Sequence, residues 1–201
     1  MLSSRIGAGR IVRRSGESTN QPFERITVRK LTIIIASGLF VAAAGAAAQA
    51  PDDAQIASIV VTANQVDIDA GKLAESMSTN SEVKAFGQRM VTDHTGVNKS
   101  AVDLVTKLKV TPQDNPTSQS LKSGGEKNIA NLKTLKGSAF DKAYIDHEVV
   151  YHAQVLDAVD KTLIPNAKNA ELKALLVKVR PAFVAHLDHA KQLQTSLATK
   201  S

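Results

Sequence analysis

Residues 81–108 read SEVKAFGQRMVTDHTGVNKSAVDLVTKL. Val83, Gly87, Met90, His94, Val97, Ala101, Leu104 and Leu108 step by four and three without a break. Steps of three and four keep one stripe along an α-helix, because a turn holds about 3.6 residues. Asn80 and Ser81 with Glu82 behind them supply an N-terminal cap. Every residue of the stripe is small or apolar except His94, a titratable ring on the face that must pack. A single amphipathic helix cannot bury its stripe alone, so the chain must supply partners.

It supplies them on both sides. Over roughly 54–77, Ile56, Ile59, Ala63, Val66, Ala70, Leu73 and Met77 form a stripe. After 108, Thr111 to Pro116 is polar with two prolines and ends the helix. A shorter helix over about 118–135 carries Leu121, Ile129, Leu132 and Leu135, weakened by Gly124 and Gly125. Over about 138–163 the stripe is Ile145, Val149, His152, Leu156, Val159 and Leu163. Over about 169–198 it is Leu172, Leu176, Val179, Phe183, His186, Ala190, Leu193 and Leu197, with a kink expected near Val177 from Pro181. No alternating apolar run marks a strand. The fold class is therefore all-α: an up-and-down bundle of four long helices, with the short helix in the crossover between the second and third.

The residues before Pro51 read differently. Leu31–Ala44 (LTIIIASGLFVAAA) is uncharged and mostly apolar, follows Arg29 and Lys30, and leads to Ala48-Gln49-Ala50. Basic, apolar, then small-x-small is the order of a secretory signal peptide, with cleavage expected after Ala50; the competing reading is an uncleaved membrane anchor, against which the Ala- and Gly-rich second half of the run counts. Residues 1–27 are polar and Arg-rich and fall outside that pattern. A start at Val28 would give the leader a compact basic head. The expected division is 1–50 as extension and signal peptide and 51–201 as the helical domain, placing the mature protein in the periplasm.

Charge and composition exclude several functions. The chain of 201 residues has a formal net charge of +6, but residues 1–50 carry seven basic and two acidic groups. The remainder holds 18 basic and 17 acidic groups, so it lacks the footprint of a nucleic-acid binder. The absence of cysteine removes disulfides, thiolate metal sites and thiol nucleophiles. No phosphate loop, dinucleotide fingerprint or Gly-x-Ser-x-Gly occurs.

The remaining chemistry is histidine. His94, His152 and His186 sit on three different core stripes, and Asp67 borders the stripe of the first helix. All four lie within about 2.5 residues of their helix midpoints, roughly 4 Å at about 1.5 Å per residue. In an aligned bundle they share one level, which Glu148 and Tyr144, one and two turns before His152, are placed to join. Three readings follow. The layer can be a hydrogen-bonded register device, it can hold a transition-metal ion such as zinc, copper or iron, or it can be a solvated groove with no defined ligand. Di-iron bundles use Glu-x-x-His on two helices, and no Glu-x-x-His occurs here. His147 and His189 are expected at the solvated flanks.

The residues also carry a resemblance. Asp67–Ala74 (DIDAGKLA), Glu82–Thr95 (EVKAFGQRMVTDHT), Phe140–Tyr144 (FDKAY) with His152 beyond, and Pro181 to His186-Leu187 resemble the family catalogued as domain of unknown function 4142. The likeness spans roughly 54–195. It implies a ferritin-like helical bundle exported from bacteria, with no established activity. Members are often labelled outer-membrane proteins, although spanning that membrane takes a closed β-barrel. The matching positions are Asp67, His94, Tyr144, His152 and His186. Asp67 and Asp69 stand where members more often carry Glu, and Tyr151 where an acid often precedes the His. Shorter and fewer carboxylates count further against a di-iron role. The function expected is a non-enzymatic, exported bundle that binds a protein or envelope partner or supports envelope stress tolerance. The alternative is a metal-binding or metal-redox protein built on the His layer.

Overall fold

A computed structural model describes residues 49–199. The apolar leader run and the extension before it lie outside the described residues. Within them the elements are α1 (Asp53–Met77), α2 (Ser81–Leu108), α3 (Pro116–Leu132), α4 (Gly137–Ala158), a π-helix (Val159–Leu163), α5 (Ile164–Asn166) and α6 (Ala170–Thr199). No strand occurs among the described residues. None of their helices is long and apolar enough to cross a membrane.

Local chemistry sets the boundaries. Asp52 caps α1 in a capping box with Gln55. Asn80 accepts from the amides of Glu82 and Val83 and starts α2. α2 ends where Lys109 turns left-handed, at φ 55°. α3 begins two residues before its expected start because Pro116 occupies the first turn, where a missing N–H costs nothing. The largest departure is at the end of α4. The periodicity predicts one helix to 163, but its last turn is π-helical, with Ile164 N–H bonded to Val159 C=O. Pro165 follows at once, and its ring would meet the carbonyl four residues back in a regular α-helix. α6 runs through Pro181 as one helix.

Direction follows from contacts at the helix ends. Gln113 N–H donates to Ala54 C=O, and Ser58 Oγ donates to Asp114, so the end of α2 lies beside the start of α1. Ser78 Oγ donates to Asp141 at 2.5 Å, which puts the start of α4 beside the end of α1. Asp53 accepts from the amides of Lys168 and Asn169 at 2.8 and 2.9 Å, which brings the chain back beside the start of α1 as α6 begins. Each successive helix of α1, α2, α3, α4 and α6 reverses direction. α3 carries the chain back between α2 and α4 and lies along α1.

α1 is the central element. It packs on α2, α3 and α4 and is buried on several faces, including Ile56, Ala57, Ile59, Val60 and Ile68. Each fully buried aliphatic of this size contributes about 1.5–3 kcal/mol. Glycines permit the closest approaches. A Cβ on Gly71 would lie 2.8 Å from the Gly87 carbonyl oxygen, so α1 and α2 cross backbone to backbone. A Cβ on Gly125 would lie 2.7 Å from Val66, so the glycine that weakens α3 is also what lets it seat on α1.

Apolar side chains form two cores at opposite ends of the bundle. One holds Phe86, Met90, Leu132, Phe140, Tyr144 and Leu193. The other holds Ile56, Ile59, Val159, Leu163, Leu172 and Leu176. A polar layer separates them.

Candidate metal centre

The layer is built from α1, α2, α4 and α6. His94, His152 and His186 are buried, and their ring centroids stand 5.6, 5.2 and 5.4 Å apart, close to an equilateral triangle. Asp67 and Glu148 are buried beside them. Asp67 Oδ2 lies 3.3 Å from His94 Nε2 and 3.9 Å from His152 Nε2. Phe183 stacks flat on His94, 5.3 Å between centroids and 8° between planes.

The outer contact of each imidazole fixes its tautomer. Asn64 Nδ2 donates to Val60 C=O, which turns Asn64 Oδ1 toward His94. His94 Nδ1–H then donates to that oxygen at 2.6 Å, leaving Nε2 as a bare lone pair. His152 Nδ1–H donates to the Glu148 backbone carbonyl at 3.1 Å, leaving its Nε2 bare. His186 Nε2–H donates to Asp93 Oδ2 at 2.8 Å, leaving its Nδ1 bare. These three nitrogens are buried without a hydrogen-bond partner. One ligand atom from each ring lies within 4.8 Å of the others. Asp67, Glu148 and His152 form a second such group, overlapping the first at His152.

Burial sets the protonation states. It lowers His94 well below the ordinary imidazole range and lowers His186 to about 4, so both rings are neutral at pH 7. It raises Glu148 to about 8 and Asp67 well above the carboxylate range, with the Glu148 charge adding to the shift at Asp67. The metal-free layer therefore keeps protons on its carboxyls rather than carry two buried negative charges. Neither Glu148 oxygen has a hydrogen bond, although Oε2 lies 3.3 Å from His152 Nδ1. Protonated Asp67 stands 3.3 Å from His94 Nε2 and can donate to it, but His152 Nε2, His186 Nδ1 and the two Glu148 oxygens have no hydrogen bond; in a folded core such groups are ordinarily satisfied, so these four atoms call for an occupant.

The donor set suits a transition-metal ion. A metal-binding imidazole ordinarily donates its second N–H to a carboxylate, amide or backbone oxygen, which fixes ring orientation. Asn64, the Glu148 carbonyl and Asp93 are those three partners. A nitrogen ligand stands about 2.0–2.1 Å from such an ion, and the candidate ligand atoms here lie within 4.8 Å of one another. Asp67 and Glu148, both ionised, would balance a divalent charge in a buried place. Nothing in the layer is a nucleophile held by a base.

The structure thus brings Asp67, His94, His152, His186 and Glu148 into one layer. Tyr144 belongs to the adjoining aromatic core: it packs on Phe140 and Phe86, and its unpartnered hydroxyl is held protonated by burial and by Glu148. His147 and His189 are half-buried rather than solvated, because Tyr151 covers one and Phe86 the other. Sequence reasoning missed Asn64 and Asp93. Asn64 lay outside the stripe read for α1. Asp93 precedes His94 and reads as a surface acid, half-exposed and also bound to Arg89.

Comparison with known proteins adds one match. The sequence model of a family described as "Domain of unknown function (DUF4142)" matches residues 40–193. No curated protein and no solved structure matches the chain.

Proposed function

We propose a function on the premise that the chain belongs to the DUF4142 family, whose description assigns no activity. The protein binds one transition-metal ion in the mid-bundle layer. His94, His152 and His186 supply nitrogen, and Asp67 and Glu148 supply carboxylate. A single observation carries this reading: three buried imidazoles, each anchored through one ring nitrogen, offer ligand atoms within 4.8 Å of one another. Zinc, copper and iron fit an imidazole-rich site with carboxylate support. The one-crossover topology agrees with ferritin-like folds, which place metal sites at this depth. The lack of Glu-x-x-His favours a single ion over a di-iron pair.

The leader sequence supports export, with the mature chain starting at Pro51 and acting in the periplasm. There the protein holds or buffers the ion as a non-enzymatic binding protein, in the service of envelope stress tolerance. Intact mass of the periplasmic fraction checks the start, and a chain that keeps residues 31–50 in the membrane pellet contradicts it.

The site is tested by stripping the purified protein with chelator and reloading it with Zn²⁺, Cu²⁺ or Fe²⁺. About one ion per chain should survive desalting, and His152→Ala should lose it. A folded wild type that retains none of the three overturns the metal reading and leaves the layer as a register device.

A further inference from the structure

A cavity of about 100 Å³ lies on one side of the metal layer, within the aliphatic core. Its inner wall is Asn64, Asp67 and His94, and its sides include Ile59, Val155, Val159, Leu163, Leu176 and Phe183. Thr117 and Gln154, both exposed, and half-buried Leu121 stand at its outer end, between α3 and α4. The same three residues and Tyr151 line the surface groove between those helices, so groove and cavity adjoin.

Three features argue against an accidental void. First, the walls are almost wholly hydrocarbon, and a resident water needs two to four polar partners, roughly, to stay. Asn64 spends its amide on Val60 and its oxygen on His94. Second, the space is closed at one end by Asp67 and His94 of the layer. Third, Val159 and Leu163 in its wall belong to the π-helix. Such wide turns concentrate at functional sites.

We propose that this cavity binds a gas-sized, uncharged, apolar molecule, which enters between α3 and α4 and comes to rest against His94. The inference rests on the metal reading for its purpose, since the ligand would arrive at the flank of the bound ion. Charge is excluded by the walls. Size is bounded by volume: a dry cavity of about 150 Å³ takes benzene or xenon, and this one is a third smaller.

Xenon is the probe, used under pressure on crystals of the purified chain without metal, with benzene vapour as the size control. One ordered xenon is expected within the cavity and no benzene. Val155→Phe and Ala158→Leu each fill the space from outside the metal layer, so if one misfolds the other still serves. Either should abolish the xenon peak while retaining the wild-type metal content after reloading. An empty or water-filled cavity in the wild type, bound benzene, or xenon undiminished in a folded filled variant overturns the inference. None of these outcomes touches the metal stoichiometry, so the two readings fail separately.

Discussion

The two apolar cores of the bundle are made of different residues. The core nearer the end of α1 is aromatic: Phe86 meets Tyr144 edge to face and His189 closes on its other side. Phe86, Met90, Phe140 and Tyr144 are fully buried there. The core nearer the start of α1 is aliphatic and contains the cavity. Large rings locked edge to face fill space and fix one arrangement, whereas branched aliphatics around a void leave contacts unmade. One end of the molecule therefore holds the helices in register, and the other leaves room beside the polar layer.

The sharpest test of that contrast is a deletion in each core. Phe86→Ala should destabilise by about 3–5 kcal/mol, the range for a buried aromatic, measured by chemical denaturation. Leu121→Ala, at the cavity mouth and half-buried, should cost about 1 kcal/mol, since it gives up part of a side chain's burial. Equal costs would break the distinction between the two ends.

The layer between the cores should show itself in pH. In the metal-free protein Glu148 keeps its proton to about pH 8, while an unfolded chain releases it near 4.5. Between those values the folded state holds the extra proton, so stability falls as pH rises. Asp67, also raised, acts in the same sense. His186 acts oppositely: between about 4 and 6.5 the unfolded chain holds the extra proton, and stability rises with pH. Above 6.5 the carboxyl effect remains, so the metal-free melting temperature should fall from pH 6.5 to 8. Glu148→Gln should flatten that fall. Metal should remove it, because ligand carboxylates are already ionised. A fall of the same size in the loaded protein would contradict carboxylate ligation.

The smallest effect belongs to the outer shell of the layer. Asp93 is half-exposed, so Asp93→Ala should leave the fold intact and change stability by less than about 1 kcal/mol. It should still weaken metal retention by roughly 10–100-fold, because His186 loses the acceptor that orients it. Unchanged retention would remove Asp93 from the site.

The bundle was legible because the stripe of α2 repeats without a break and carries His94 inward. Depth was legible too, since residues near helix midpoints meet whichever way the helices run. The spacing of Glu148 and His152, one turn apart, pointed to a shared face. Asn64 was not legible, because one stripe per helix assumes one buried face, and α1 is covered by α3 as well. The neighbouring apolar residues Ile56, Ala57, Ile59, Val60 and Val61 were the available sign that this helix is wrapped on several sides. The π turn left no trace in the periodicity apart from Pro165 just beyond it. Asp93 pairs with a ring 93 residues away, and no local pattern carries that information.

The clasp between Asp53 and the amides of Lys168 and Asn169 has a consequence for how the chain comes into being. A polypeptide is born from its N-terminus, so the first residue of α1 waits for partners 115 and 116 positions later. α1 and α2 can pair early as a local hairpin, but the face of α1 that meets α4 stays bare until the second half emerges. Contacts so distant in sequence form late, since the loop between them must close first. The nascent chain is thus an incomplete bundle with an open apolar flank for most of its synthesis, and the last helix to arrive brings the final side of the histidine layer with it.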